Sequence, residues 1–214
     1  MILDPPAINR REVYRYARIA SDSIEIDNLL CECISEAEPM LEYRVCWVRD
    51  DIKRGEELSL ATIHSRSSAL SRALYGCDEG IVFAATIGIG IDRLIAKYSR
   101  IAPSKALVLN ALGAERVESL CNKLCSYLDG ELCTEGKQLR PRVSPGYGDI
   151  ELTIQKDIFS LLDCPRRIGL TLTDSLLMSP SKSVTAIAGI GVGGDRGDAD
   201  KCALCTKDDC DYRS

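Results

Sequence analysis

The sequence predicts an α+β fold. Helical periodicity is concentrated in the middle of the chain, at 89–101 and 104–128. Alternating or continuous apolar runs, which are typical of strands, lie nearer the two flanks, at 41–48, 80–87 and 183–190. Helices and strands that are grouped in this way favour α+β over the regular alternation of an α/β protein. The 214 residues are enough to bury a substantial core.

The N-terminal third predicts two helices before the first strand. Residues 10–19 form a short amphipathic pattern whose four arginines favour a solvated face over an anion site. Residues 21–23 can cap a second helix. Residues 41–48 alternate and contain aromatic and β-branched side chains, which predicts a half-buried strand. A short strand at 58–60 and a helix over 65–75 complete this part of the chain.

The central part predicts a buried strand followed by two helices. Residues 80–87 are almost entirely apolar and lead into the sequence G-I-G at 88–90. This pattern lacks the third spaced glycine of a dinucleotide-binding loop, so we do not interpret it as one. The helix over 104–128 carries a core stripe of leucines and valine, and residues 129–140 predict a polar loop. The stripe comprises Leu109, Leu112, Val117, Leu120, Leu124 and Leu128.

The C-terminal part predicts one helix and three strands. The helix over 152–162 should end before Pro165, because proline cannot continue a helix. Strands are expected at 169–173, 176–178 and 183–190. Glycines then predict a flexible link, so we divide the chain into a domain at 1–194 and a cysteine-rich tail at 195–214.

Composition excludes several classes of function. The net charge is −5 and there is no long Lys/Arg run, which argues against nucleic acid or an anionic membrane as partner. The start of the chain does not resemble a signal peptide, and we expect a cytoplasmic protein. The eleven cysteines then predict thiols rather than a disulfide framework. A single histidine, His64, leaves little scope for catalysis by a histidine base.

The stretch 142–149 combines more special-purpose residues than any other. Pro145 fixes one φ angle, and Gly146 and Gly148 allow backbone conformations that other residues avoid. The Arg142 guanidinium and the Tyr147 hydroxyl stand beside this bare backbone. Such a turn suits a small ligand that carries a carboxylate, although the composition also fits an ordinary turn with a surface arginine.

Five ordered motifs carry a resemblance to a known family. They are R-x-S-P-G-Y at 142–147, I-F-S-L-L at 158–162, I-G-L-T-L-T-D-S at 168–175, M-S-P-x-K-S-V-T at 178–185 and, more weakly, A-L-G-A-E-R-V-E at 111–118. In order and spacing this set resembles the reactivation domain of cobalamin-dependent methionine synthase, here as a stand-alone homologue. The resemblance implies a twisted, mainly antiparallel sheet flanked by helices.

The resemblance also implies a site for S-adenosylmethionine. The motif arginine, Arg142, would hold the methionyl carboxylate through a charge-assisted, bidentate pair. The backbone around Ser144 and Gly146 would contact the ligand, and Tyr147 would lie near the sulfonium. Glu118 matches an acidic residue of the family site. The alternative interpretation is that Glu118 is a solvated glutamate on a helix.

The implied function is reactivation of a separate cobalamin-binding methionine synthase. In that family, methyl transfer from S-adenosylmethionine traps cob(I)alamin and so draws the reduction of cob(II)alamin forward. The cobalamin belongs to the partner, and the electron comes from a donor of unknown identity. The cofactors carry the bond changes, so no side chain is expected to be catalytic and the chain would not be a complete enzyme alone.

The tail suggests a second chemistry. Cys202, Cys205 and Cys210 have a spacing that could give three thiolate ligands to zinc or to an iron–sulfur cluster. A reactive dithiol or inert thiols are the alternatives. This signal supports a different function, in which the chain is a metal- or iron–sulfur-bearing redox or interaction module for a corrinoid protein and does not bind S-adenosylmethionine.

Overall fold

The structure, a computed structural model, describes residues 1–19 and 23–192. Eight strands are found in the described residues. They are β1 (Arg44–Arg54), β2 (Leu58–Leu60), β3 (Ile63–Ser65), β4 (Glu79–Thr86), β5 (Lys137–Leu139), β6 (Thr171–Leu172), β7 (Met178–Ser179) and β8 (Ser183–Val192).

Six of these strands form one sheet in the order β3–β2–β1–β4–β8–β5. Every neighbouring pair is antiparallel, and the two pairs that β4 makes, with β1 and with β8, are the longest. Strands β6 and β7 form a separate two-stranded hairpin. The expected α+β class with an antiparallel sheet flanked by helices is therefore confirmed.

Seven α-helices pack around this sheet in the described part of the chain. They are α1 (Arg10–Ala17), α2 (Ile24–Ala37), α3 (Ser68–Ala73), α4 (Gly90–Tyr98), α5 (Pro103–Cys133), α6 (Ile154–Leu162) and α7 (Cys164–Ile168). A 3-10 turn, Glu38–Met40, follows α2. None of the helices in the two described ranges is long and apolar enough to cross a membrane.

Strand β4 is buried on both faces and divides the core into two layers. Ile81, Phe83 and Ala85 lie in the apolar cluster formed with α1, α2, α4 and α5. Val82 and Ala84 point the other way, into the cluster formed with α3, α6 and α7. This period-two alternation is that of a central strand, and the continuous apolar run at 80–87 follows from it.

Helix starts follow local capping rules. The side chains of Asn9, Ser23 and Ser67 each accept a hydrogen bond from a backbone N–H in the first turn of α1, α2 and α3. Pro103 and Pro165 stand in the first turns of α5 and α7, where their missing N–H groups have no intrahelical partner to lose. Pro165 therefore lies in the first turn of α7, after α6 has ended at Leu162 with Asp163 as its C-cap.

The prediction of a polar loop at 129–140 is wrong. Helix α5 continues to Cys133, because Leu128 and Leu132 extend the buried stripe on the face that packs against the sheet. Strand β5 then occupies Lys137–Leu139 and pairs with β8 at the edge of the sheet. Asp129 and Glu131 are exposed on the solvent side of the helix, and Thr134 and Glu135 are exposed in the turn before β5.

Other boundaries differ in smaller ways. The helix expected over 65–75 is confined to Ser68–Ala73, because Ser65 pairs in strand β3 and Ser67 caps the helix. Strand β1 begins three residues after 41 and runs on to Arg54 beside β2 and β4. The strands expected at 169–173 and 176–178 shrink to the two-residue strands β6 and β7.

Candidate ligand-binding site

A cavity of about 410 Å³ lies where α1 meets α5. Nine mainly polar or charged residues line it, four at or within α1, four on α5 and one just after β5. They are Asn9, Glu12, Arg15, Tyr16, Glu115, Glu118, Ser119, Asn122 and Arg142. Its volume falls within the range of about 300–1,000 Å³ that is usual for small-molecule sites.

Arg142 reaches this cavity from the edge of the sheet. Its neighbour Val143 pairs with Ile187 of β8 through two backbone hydrogen bonds of 2.8 Å, which fixes the chain direction after β5. Arg142 Nη2 donates to Glu118 Oε2 at 2.6 Å, and Nη1 donates to Asn122 Oδ1 at 2.9 Å. The guanidinium is thus held in the wall of the cavity by two α5 residues one turn apart.

The electrostatics favour the charged form of Arg142. The side chain of Arg142 is 14% exposed. Burial lowers its pKa, but the Cys121 and Cys125 thiols and the Glu118 carboxylate act in the opposite direction, and the net shift of the pKa is upward. The side chain of Glu118 is 42% exposed, so this carboxylate stays in contact with solvent while it pairs with Arg142.

Helix α1 supplies the second group of lining residues. Arg15 forms a bidentate ion pair with Glu12, with Nη2 donating to Oε2 at 2.6 Å, and its guanidinium lies 4.6 Å from the centroid of the Tyr16 ring. Burial and the nearby Glu118 carboxylate raise the pKa of Tyr16, so its hydroxyl stays protonated and can donate a hydrogen bond. The arginines of α1 were expected on a solvated face, and Arg15 is indeed exposed, although it also lines the cavity.

The turn after Arg142 is tight, as its glycines and proline predicted. Gly146 has φ +88° and donates from its backbone N–H to the carbonyl of Ile150 at 2.9 Å, and the Tyr147 N–H donates to the Ser144 carbonyl at 3.1 Å. Ser144, Gly146 and Tyr147 do not line the cavity. Their assignment as ligand contacts stays a prediction.

Asp149 closes the turn onto another element. Its carboxylate accepts hydrogen bonds from the Ser67 hydroxyl at 2.6 Å and from the backbone N–H groups of Ser68 and Ala69 at 2.7 and 2.9 Å. The hydrogen bond from Ser67, followed by those from the two N–H groups, lowers the pKa of Asp149. The turn is therefore anchored on the start of α3.

Sequence reasoning found two of the nine lining residues, Arg142 and Glu118. On α5 a usable signal exists, because Glu115, Ser119 and Asn122 lie three before, one after and four after Glu118 and so fall on one side of the helix. For α1 no local signal exists, since its contact with α5 joins parts of the chain about 100 residues apart.

The cysteines divide into those that lie in the described residues and those of the tail. Cys31 is exposed and Cys33 is buried, because residues two apart on a helix point in different directions. Within the described ranges no group of three or more His, Cys, Asp or Glu side chains is arranged to hold a metal. Cys202, Cys205 and Cys210 lie outside the described residues, as does the whole tail at 195–214.

A family model described as "Vitamin B12 dependent methionine synthase, activation domain" matches residues 70–213. The match includes α5 and the turn at 142–149, and therefore both Glu118 and Arg142. It covers well over half of the 214 residues. The chain belongs to the activation-domain family of vitamin B12-dependent methionine synthase.

Among solved structures, the chain is similar to one described as the crystal structure of the MetH reactivation domain bound to AdoHcy. The two share 20% sequence identity with a TM-score of 0.60, over 84% of this chain and 70% of the other. At this identity the likeness concerns the fold. A comparison with curated proteins finds no match.

Proposed function

We propose that this chain binds S-adenosylmethionine in the cavity between α1 and α5 and supports reductive methylation of cob(II)alamin on a separate methionine synthase. Family membership supplies the class of function. The observation that carries the proposal is the Arg142 guanidinium, which is largely buried yet lines a cavity of ligand size beside an exposed carboxylate. The AdoHcy bound by the similar reactivation domain supports the same class of ligand.

The charges of the cavity fit a ligand that carries a carboxylate and a cationic group. Glu115 is already paired with Arg116, and Glu12 is paired with Arg15. The Arg142–Glu118 pair is therefore the one that a zwitterionic ligand can open. The ligand carboxylate would take the Arg142 fork, and one cationic group of the ligand, the ammonium or the sulfonium, would take Glu118, so that neither Arg142 nor Glu118 is left unpaired.

The role of the chain itself would be to bind and orient S-adenosylmethionine. When bound, S-adenosylmethionine supplies the methyl group on its sulfonium. Arg142 and Glu118 would fix the amino-acid end next to solvent, since the side chain of Glu118 is 42% exposed. The proposed function requires no lining side chain to act as nucleophile or general base. The cobalamin would come from the partner synthase and the electron from a separate donor.

Titration calorimetry with S-adenosylmethionine tests the site. Arg142→Ala should weaken binding by about 2 kcal/mol, or roughly 30-fold, because a charged, bidentate partner of the carboxylate is lost. Arg140→Ala is the matched control, since the Arg140 guanidinium packs over Gly191 beside Cys77 and does not line the cavity. Its affinity should stay within about twofold of the wild type.

An unchanged affinity in Arg142→Ala would remove the carboxylate assignment. Equal losses in both variants would point to a general effect of removing an arginine near the sheet edge. A zinc ion or iron–sulfur cluster at Cys202, Cys205 and Cys210 stays a prediction that is independent of this site.

A further inference from the structure

Two adjacent charged residues of α5 are fully buried. Glu115 and Arg116 are each 1% exposed. Arg116 Nε donates to Glu115 Oε2 at 2.5 Å, and Nη2 donates to Glu115 Oε1 at 2.7 Å. A buried ion pair gains little net stability unless its remaining donors and acceptors are also satisfied. The other partners of this pair therefore indicate its purpose.

Those partners lie mainly in residues 4–9, which we call the N-terminal strap. Arg116 Nη1 donates to the carbonyl of Pro6 at 2.6 Å, and Nη2 donates to that of Ala7 at 2.8 Å. Glu115 Oε1 accepts a hydrogen bond from the backbone N–H of Asn9 at 3.1 Å. Since Pro6 has no N–H and the strap is not part of a helix or strand, these side chains replace the regular backbone pairing there.

The strap ends at the start of α1. Asn9 is the N-cap of α1, so the pair holds the residue at which this helix begins. Helix α1 in turn carries Glu12, Arg15 and Tyr16 to the cavity. Arg116 itself does not line the cavity. Arg116 also bonds to the buried Tyr43 side chain, so any effect of Arg116 on a ligand is indirect, and its route to the cavity is through the strap and α1 or through its neighbour Glu115.

We propose that Arg116, together with Glu115, is a positioning residue for the ligand. Through the strap it holds α1 in the place where its side chains complete the cavity that Arg142 lines. This inference rests on the proposed function, because it assigns to Arg116 a role at the same site. It also separates two roles on one helix, since Glu118 would contact the ligand whereas Arg116 would place the second wall.

Two variants of the full-length chain test the role. Arg116→Gln removes the charge and the fork, whereas Arg116→Lys keeps the charge beside Glu115 but cannot reproduce the fork to both carbonyls. Lys182→Met is the control, because Lys182 also contacts α5, donating to Asn110 at 2.7 Å, but none of its described contacts is to the strap.

Two readouts are needed, amide hydrogen exchange and calorimetry with S-adenosylhomocysteine. In Arg116→Gln we expect exchange in α1 to accelerate at least about tenfold while exchange in β4 is unchanged, and affinity to fall about tenfold. Arg116→Lys should lie between Arg116→Gln and the wild type in both measurements. Lys182→Met should match the wild type in α1 exchange and in affinity.

The proposal is overturned if α1 exchanges faster while affinity stays within twofold of the wild type, or if affinity falls with no change in α1. If Arg116→Gln does not fold, Arg116→Lys decides by the same two readouts. A wild type that binds neither S-adenosylhomocysteine nor S-adenosylmethionine would contradict the proposed function. The exchange measurement needs no ligand, so it would still decide whether the pair holds α1.

Discussion

Gly90 begins α4 at a point where the chain passes the carbonyl of Met40. A Cβ atom built on Gly90 would lie 2.2 Å from the Met40 carbonyl oxygen and 2.7 Å from its Cβ, so a side chain there must displace backbone. This close approach explains the second glycine of the G-I-G sequence at 88–90 without any phosphate. Gly88, with φ +80°, supplies the left-handed turn that leads into it.

Replacing Gly90 by alanine should therefore lower the free energy of unfolding by about 2 kcal/mol, through overpacking against Met40. Gly130→Ala is the matched control on α5, where a Cβ would meet nothing within 4 Å. That substitution should raise stability by about 0.5–1 kcal/mol, because glycine is a poor residue for a helix interior. Urea unfolding measures both, and a Gly90→Ala variant as stable as the wild type would contradict the contact.

At the level of elements, a single carboxylate links three helices. Glu36 on α2 accepts hydrogen bonds from Lys97 and Tyr98 of α4 at 3.0 and 2.9 Å, and it pairs with Lys105 of α5 at 2.9 Å. Hydrogen bonds from Lys105 and then from Lys97 lower the pKa of Glu36 to about 2. The two lysines also lie over the ring of Tyr98, so the network is compact.

Stability from this group should depend on pH in a defined direction. Because the folded-state pKa is depressed from 4.5 to about 2, the contribution is complete above pH 4.5 and is lost as the pH falls toward 2. Glu36→Gln should cost about 1 kcal/mol at pH 7, and the gap from the wild type should close over that window. Glu32→Gln is the control, since Glu32 is 68% exposed and 3.8 Å from Lys105. A gap that stays constant from pH 7 to pH 2 would contradict the pairing.

Elements with strong periodicity were predictable, and short ones were not. The run at 80–87 and the stripe from Leu109 to Leu128 gave β4 and most of α5, because burial on a fixed face leaves a pattern within a few residues. Strand β5 is three residues long and half-buried, and its place in the sheet depends on pairing with β8, more than 40 residues away. Local sequence carries no record of such a pairing.

At the scale of the whole molecule, the candidate site is assembled from three distant parts of the chain. The Pro–Gly turn beside Arg142 suggested a ligand contact without deciding it, and the family motif supplied the carboxylate role. Glu118 was suggested by the family motif. The α1 residues could not be predicted, because α1 packs on a part of α5 that lies about 100 residues away in the chain. A charged pair within the buried stripe of a helix indicates that its side chains bind a segment that is distant in the sequence.

Reactivation of an oxidised, cobalamin-bearing methionine synthase by the purified chain tests the proposed function most directly. The synthase is supplied with a chemical reductant and S-adenosylmethionine carrying a labelled methyl group, and labelled methylcobalamin is measured with and without the chain. We expect label on the cobalamin only when the chain is present, with much less for Arg142→Ala and no loss for Arg140→Ala. Equal labelling with and without the chain would contradict the proposal that the chain supports methylation of the cobalamin.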